Sequence, residues 1–316
     1  MKKTETIDVL IPVYNGDKYI KKCLDSLLAQ TYKDLRIIVA DDGSTDETPN
    51  ILKEYKSKHK NIEVFSKQNE KSISKTRNFL LSKIKSNLFS FFDSDDYAES
   101  TYFEELYLLL TDYNADMSLC GKSRHSENKN VSLEKYNQNI KSVLFMNKQE
   151  AIAEMLSSNL FNGTVYCKLM KTKHIQGATF DENIHYGEDL DFCFKIMQNC
   201  NSFVMTNKKL YHYIIRKNSI VTSKFKTSKL TCLDCYDKII KEIQNNEELT
   251  LCAKSMQGLI AIELLYYTWR DNFKDKKIKA NLKNIIKQSI PYIKKNKRLL
   301  KINQCAPYVW WLTKIM

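Results

Sequence analysis

The chain has 316 residues, 43% of them hydrophobic, with only 7 Gly and 4 Pro. That suffices for one large α/β domain plus an appendage, or for two domains, and excludes long disordered linkers. Nine scattered cysteines, odd in number, and a start in which Met1-Lys2-Lys3 leads straight into polar Thr4-Glu5-Thr6 set the expectation of a reduced cytoplasmic protein without a signal peptide. The net charge of +13 is uneven: residues 271–316 hold 12 Lys/Arg against two Asp, a net +10, so the first 270 residues carry only +3. A basic surface spread over the whole domain would suggest nucleic acid; a basic tail behind a near-neutral domain suggests an anionic surface such as a membrane, and no nucleic-acid partner is expected.

In chain order, residues 7–13 read as a buried strand ended by Tyr14-Asn15-Gly16, and 19–29 as a helix with Ile20, Cys23, Leu24, Leu27 and Leu28 at helical spacing. Residues 35–40 are a second strand. The next helix is expected with Asp46 as its cap, because Pro49 then falls in the first turn, where its missing N–H is not needed. A strand at 62–66, a helix at about 74–84, a strand at 88–92, a helix at 102–110 and a strand at 115–120 follow. This alternation predicts an α/β fold with a mostly parallel sheet covered by helices. Residues 121–147 are polar and poorly patterned and read as a variable loop. Beyond it come a short helix (148–156), an extended run (164–170), a helix (188–197) and a strand (210–215). From about 227 the pattern is helical, with breaks near Asn245, Asp271 and Pro291. No apolar stretch approaches the roughly 18 residues of a membrane span.

Two acidic clusters end strands. Asp41-Asp42-Gly43-Ser44-Thr45-Asp46 follows the second strand, and Asp93-Ser94-Asp95-Asp96 follows the fourth. Carboxylates at the carboxyl ends of neighbouring strands converge on one crevice, where ligands of open α/β sheets bind. Two carboxylates one residue apart, with a third beside them, suit a hard divalent cation that also holds phosphate oxygens, and so a nucleoside-diphosphate substrate. A solvated turn capping the next helix is the competing reading. An EF-hand is excluded: Glu104 is twelfth from Asp93, but Tyr97 and Ala98 stand where a ligand and the turn glycine belong. The first cluster is either a plain turn or a carboxylate that accepts from a base N–H or a ribose hydroxyl.

Two further constellations follow. In His185-Tyr186-Gly187-Glu188-Asp189, the acids open an apolar helix, either for dipole reasons alone or as a general base. In Tyr211-His212-Tyr213-Ile214-Ile215-Arg216-Lys217-Asn218-Ser219, the residues Arg216, Ser219 and His212 could hold phosphate oxygens or a metal, or form a plain basic strand end. Cys232-Leu233-Asp234-Cys235 is a lone CxxC on a helix and is not read as a zinc site. His59 and His125 read as surface residues. The absence of GxGxxG, P-loop and GxSxG motifs argues against a dinucleotide enzyme, an ATPase or a serine hydrolase.

Taken in order, these residues resemble the inverting GT-A glycosyltransferases of family 2. The matching strings are Val9-Leu-Ile-Pro-Val-Tyr-Asn15, Leu24-Asp-Ser-Leu-Leu-Ala-Gln-Thr31, Asp41-Asp-Gly-Ser-Thr-Asp46, Ser74-Lys-Thr-Arg-Asn78, Phe92-Asp-Ser-Asp-Asp96, Gly187-Glu-Asp189 and Tyr211-His-Tyr…Arg216…Ser219, over about residues 5–220. The resemblance implies a GT-A fold (residues 1–225) with a basic helical region (226–316), a nucleotide-sugar donor, a UDP-sugar for choice, and Mn2+ or Mg2+. By the same resemblance Pro12 and Tyr14 border the base, Asp41 binds the base edge, Arg77 lies near the nucleotide, and Asp93 and Ser94 face the ribose. Asp95 holds the metal with Asp93 and His212, Asp96 supports it, and Arg216 and Ser219 meet the diphosphate. Asp189 is the implied base, with Glu188 beside it. Two departures are visible: Lys71 stands near where the family often has Gly before the Ser-x-x-Arg-Asn helix, and the third residue of the Tyr-x-Tyr-x-x-Arg segment is altered. The expected reaction inverts an α-linked donor into a β-linked product on a hydroxyl of a glycan or lipid-linked acceptor, in surface-polysaccharide synthesis. The basic tail, ending Ala306-Pro-Tyr-Val-Trp-Trp-Leu-Thr-Lys-Ile-Met316, would rest on the inner face of the plasma membrane. The alternative is a non-catalytic nucleotide-sugar-binding subunit that supports a partner transferase.

Overall fold

The computed structural model describes residues 5–126, 129–132, 143–157, 160–216 and 223–296. The elements in chain order are β1 (Ile7–Val13), α1 (Ile20–Leu28), β2 (Leu35–Asp41), α2 (Thr48–Lys58), β3 (Ile62–Ser66), α3 (Ile73–Leu81), β4 (Leu88–Phe91), β5 (Tyr97–Ala98), α4 (Tyr102–Asp112) and β6 (Met117–Ser126). They continue with β7 (Lys129–Ser132), β8 (Val143–Asn147), α5 (Lys148–Ser157), β9 (Lys168–Lys171), α6 (Glu188–Gln198), β10 (Ser202–Ile215), α7 (Thr231–Ile243), α8 (Glu247–Arg270) and α9 (Lys276–Lys295). They form two compact units. The first comprises Met1–Lys148, Thr164–Glu182 and Lys195–Ser219; the second comprises Gln149–Gly163, Asn183–Phe194 and Ile220–Met316.

In the first unit the strands form one sheet in the order β3-β2-β1-β4-β9-β6-β10-β5, with β7 beside β6 and β8 beside β10. β9 is antiparallel to both β4 and β6, while β1–β2, β1–β4, β2–β3 and β6–β10 are parallel. Thus β1, β2, β3, β4, β6 and β10 share one direction, and the sheet is mostly parallel as the alternation predicts. All seven residues of β1 are buried, as expected for a strand covered on both faces. Ile7, Val9, Ile11 and Val13 point into a core with Leu24, Leu27, Leu52, Tyr102 and Leu106.

The described residues of the expected loop at 121–147 are strand, in β6, β7 and β8. β10 begins at Ser202, well before the apolar run at Leu210, and carries β6 alongside it as far as Ile215↔Ser126; it also pairs β8 through Ser202↔Asn147. Ladder bonds satisfy the backbone whatever the side chains, so polar β6 residues can stay extended. β5, only two residues long, pairs antiparallel with β10 at Tyr211↔Ala98 and His212↔Tyr97.

In the second unit α7, α8 and α9 pack around Phe225, Leu233, Ile262, Leu265, Leu282 and Ile286. The α8–α9 contact is close: a Cβ on Gly258 would lie 2.3 Å from that of Ser289. Pro291 does not break α9. It lies inside the helix on the exposed face, as does Lys287 four residues earlier, so the one lost bond is cheapest there. Contrary to expectation, α8 is long and apolar enough by composition to cross a membrane, with a mean hydropathy of 1.2. Polar Thr250, Lys254 and Gln257 hide this in the sequence, and 56% of that stretch is buried in the protein. The aromatic end at 306–316 lies outside the described residues.

Candidate active site

The first unit builds an acidic crevice at the carboxyl ends of β1, β2 and β4. The loops after β1 and β2 are knitted together. The Asn15 N–H donates to Ser44 Oγ (2.8 Å), the Gly16 N–H to Thr48 Oγ1 (2.8 Å), the Asp17 N–H to Asp46 Oδ2 (3.1 Å), and the Thr45 N–H to Asn15 Oδ1 (2.9 Å). Much of the Asp-Asp-Gly-Ser-Thr-Asp string is therefore structural. Asp46 Oδ1 accepts from the Thr48 N–H (3.0 Å), with Pro49 in the first turn as expected, although the helix starts two residues after Asp46. Asp41 is buried, and its Oδ1 accepts from the Ser44 N–H at 3.0 Å, so it closes the turn. Asp42 is 7% exposed, and its Oδ1 has no hydrogen-bond partner among the described residues. Asp42 Oδ1 therefore has acceptor capacity left, and Asp41, with one oxygen on the Ser44 N–H, keeps its second oxygen. Pro12 is buried beside Ala40, and Tyr14 is 52% exposed.

The acidic turn after β4 brings Asp93, Asp95 and Asp96 together, with one carboxylate oxygen of each within 4.8 Å of the others. The turn closes by Asp96 N–H to the Asp93 carbonyl (3.2 Å). β10 grips it: the Tyr211 hydroxyl donates to Asp96 Oδ2 (2.7 Å), the Ile214 N–H donates to Asp96 Oδ1 (2.8 Å), and the Asp93 N–H donates to the Tyr211 hydroxyl (3.3 Å). Both Asp96 oxygens thus bind protein, and its role is to hold the turn. Arg216, just past β10, contacts Asp95 Oδ2 at 2.5 Å, and its guanidinium lies over the Tyr19 ring (5.2 Å). Arg77 on α3 is buried, with Nη2 3.6 Å from Asp93 Oδ1 and the guanidinium over Phe180 (5.4 Å). The neighbouring Asn78 locks that loop by accepting from the Phe180 N–H (2.8 Å) and donating to its carbonyl (2.9 Å). Lys71 adopts φ +54°, so the backbone here takes the left-handed turn that a glycine would allow, at a cost of about 1–2 kcal/mol.

Burial pushes the Asp96 carboxyl well above the usual carboxylate range, reinforced by Asp95 and Asp93. Burial also raises Asp95, against the pull of Arg216. Three crowded carboxyls, of which Asp95 and Asp96 hold protons more tightly than usual, gain from a neighbouring cation, and hard oxygen donors suit Mn2+ or Mg2+. Asp93 and Asp95 fit such an ion.

His212 is not brought to this cluster. Its Nε2 meets Glu99 Oε1 (2.8 Å), its Nδ1 meets His125 Nε2 (2.9 Å), and its ring stacks on Tyr97. Both nitrogens are engaged away from the carboxylates, and His125 is half-buried in this pair and not a plain surface residue. Ser94 is half-buried in the acidic turn. Ser219 lies outside the described residues.

Glu188 and Asp189 open α6 in the second unit. The preceding loop is pinned by Thr231, whose Oγ1 accepts from the N–H groups of His185 (3.1 Å) and Tyr186 (3.0 Å). Gly187 has φ +97°, and a Cβ there would lie 3.0 Å from that of Cys232. Nothing in the sequence marks Thr231 as the anchor of a loop 45 residues earlier. Cys232 and Cys235 are in no disulfide and are buried, as packing residues are.

A mostly parallel sheet with an acidic turn at its carboxyl edge and arginines facing that turn places a candidate site where ligands of open α/β folds bind. The sequence matches Glycosyl transferase family 2 over residues 8–177, more than half of the chain, and the protein belongs to that family. Glycosyltransferase GlyA of Streptococcus pneumoniae is 33% identical over 225 residues, which are 68% of this chain; the chain spans 31% of GlyA's length. Among solved structures, S. aureus TarS 1–349 in complex with UDP-GlcNAc superposes with a TM-score of 0.68 at 20% identity, covering 91% of this chain and 81% of that one. The Pyrobaculum calidifontis mannosyltransferase PcManGT, in complex with GDP-Man and Mn2+, gives 0.56 at 14%, covering 98% and 88%. The fold is GT-A, and the chain carries a family 2 glycosyltransferase domain.

Proposed function

We propose that the protein moves a sugar from a UDP-sugar to a hydroxyl of a glycan or lipid-linked acceptor, inverting the anomeric carbon, in surface-polysaccharide synthesis at the inner face of the plasma membrane. The observation that carries this reading is the turn in which Asp93, Asp95 and Asp96 converge with Arg77 and Arg216 beside them. Mn2+ or Mg2+ held by Asp93 and Asp95 would neutralise charge on the departing diphosphate. Arg216, once off Asp95, offers a fork of donors that fits phosphate oxygens. Asp41, or the neighbouring Asp42 whose buried Oδ1 has no hydrogen-bond partner among the described residues, accepts from the base N–H, with Tyr14 beside the ring. Asp189 takes the proton of the acceptor hydroxyl as that oxygen attacks, and Glu188 accompanies it. The transfer reaction is assigned to residues 1–225, and 226–316 to anchoring.

The test is binding and hydrolysis across UDP-, GDP- and dTDP-sugars, with and without Mn2+. A metal-dependent preference for UDP-sugars is expected, and absence of binding to every donor would overturn the reading. Asp189→Asn should abolish transfer while leaving donor affinity intact, which also separates an enzyme from a binding subunit. Loss of donor binding in that variant would remove Asp189 from the role of base.

A further inference from the structure

We infer that the exposed face of α9 is a docking surface for an anionic lipid bilayer. The inference rests on the membrane-side location proposed above and names the surface that achieves it. α9 carries seven lysines and no acidic residue along its length. Its capping Asp275 is spent on the N–H groups of Lys277 (2.8 Å) and Ile278 (3.1 Å). The apolar side of the helix is already used: Leu282, Ile286 and Ser289 are buried, and Ile278, Ile285 and Ile293 pack on the core of the second unit. The opposite side presents Lys276, Lys283, Lys287 and Lys294, all exposed. At 3.6 residues per turn these four lie within about 40° of one another, a straight stripe about 27 Å long. None of the four has an acidic partner among the described residues. Trp269, 59% exposed, ends α8 one short turn before α9 begins, and tryptophan favours the membrane–water boundary.

The same geometry predicts how the surface binds. α9 turns Leu282, Ile285 and Ile286 inward and leaves only small Ala280 and Pro291 among its exposed apolar residues, so it has little to insert and the attraction is electrostatic. It needs anionic headgroups and falls within a Debye length, about 10 Å at 0.1 M salt. Each lysine near such a surface strengthens partition by about fivefold, so the stripe together is worth several hundredfold.

The experiment is co-sedimentation of the full chain with vesicles of phosphatidylcholine alone and of phosphatidylcholine mixed with phosphatidylglycerol. Wild-type protein should bind only the mixed vesicles and be released by salt. The variant K276Q/K283Q/K287Q/K294Q should bind them at least ~100-fold more weakly. The matched variant K21Q/K53Q/K56Q/K60Q removes equal charge from exposed lysines of the first unit and should lose less than ~10-fold. Circular dichroism checks folding of both. UDP-sugar binding by the same proteins should not change, so a wild type that binds vesicles but no donor indicts the transferase reading and leaves the surface standing. Failure of wild type to bind the mixed vesicles, equal loss in the two variants, or tighter binding to a DNA duplex than to vesicles would each overturn the inference.

Discussion

A divalent cation held by Asp95 would compete with Arg216 for the same oxygen, which makes Arg216→Gln an unusually direct probe of the crevice. Arg216 Nη2 sits 2.5 Å from Asp95 Oδ2, with the arginine side chain 35% exposed and the aspartate 17%. Unit charges about 4 Å apart attract by about 4 kcal/mol at an effective dielectric of 20. Solvent screening and the freedom recovered by the freed side chain cut the net value to about 1–2 kcal/mol. An ion that takes Asp95 must first displace that arginine. Removing it should therefore tighten Mn2+ binding, without nucleotide, by about 5–30-fold. Transfer should fall, because the diphosphate loses a bidentate partner. Isothermal titration with Mn2+ at pH 8, where proton competition is least, reads the first effect, and initial rates with saturating metal read the second. If Arg216→Gln binds Mn2+ no better than wild type, Asp95 is not a ligand and the metal assignment fails.

Other substitutions separate binding from scaffolding. Asp42→Asn should raise the donor KM by about 10–100-fold with little change in Tm, since the lost acceptor serves no protein donor; Asp41→Asn should instead lower Tm through the bond to Ser44. Steady-state kinetics and thermal melts on the pair decide this, and the reverse pattern would make Asp41 the base-binding acid. Gly187→Ala should cost about 2–3 kcal/mol and depress kcat, because φ +97° resists a side chain and Cys232 stands 3.0 Å from the new Cβ; an unchanged melt would refute the strain argument. The raised Asp95 and Asp96 carboxyls stabilise the folded chain below the ordinary carboxylate pKa, and that contribution is lost as pH rises through their folded values. Mn2+ relieves the resulting repulsion, so its gain in Tm should be largest near neutrality and shrink as pH falls, which differential scanning with and without Mn2+ measures.

The parallel half of the sheet was legible because β1, β2 and β4 are apolar runs ended by turn residues, with amphipathic helices between. The acidic turn after β4 was legible because a plain helix cap needs one acid, whereas three in four residues at a strand end repel one another unless a cation sits among them. What could not be read are the long-range registers. Nothing local announces that β10 begins at Ser202, that two residues at Tyr97–Ala98 form a strand on its edge, or that His125 and His212, 87 residues apart, share a hydrogen bond. Single-residue roles are least legible where a turn-level bond decides the surroundings: Asp41 and Asp42 are adjacent acids, and only the fold shows that Asp41 faces the Ser44 N–H. Lys71 shows the opposite case, a backbone conformation kept where its usual residue is absent.

If a cation takes Asp95, the contest with Arg216 also couples metal to donor. A diphosphate gives Arg216 a second place to go, so bound donor lowers the cost of displacing it and should tighten Mn2+. Linkage requires that Mn2+ tighten the donor by the same factor. With Arg216 contributing about 1–2 kcal/mol to Asp95, that arginine accounts for a factor of about 5–30 in each direction, beyond direct contact between ion and phosphates. Arg216→Gln should reduce both factors equally while raising the affinity for the bare ion. Arg77, 3.6 Å from Asp93 and buried against Phe180, has far less freedom to leave, so Arg77→Gln should weaken donor binding with a smaller effect on the coupling. Titrating Mn2+ at several fixed donor concentrations, and donor at several fixed Mn2+ concentrations, measures both factors independently. A coupling factor unchanged in Arg216→Gln would show that the ion and the arginine do not share Asp95, whatever the bare-ion affinity does.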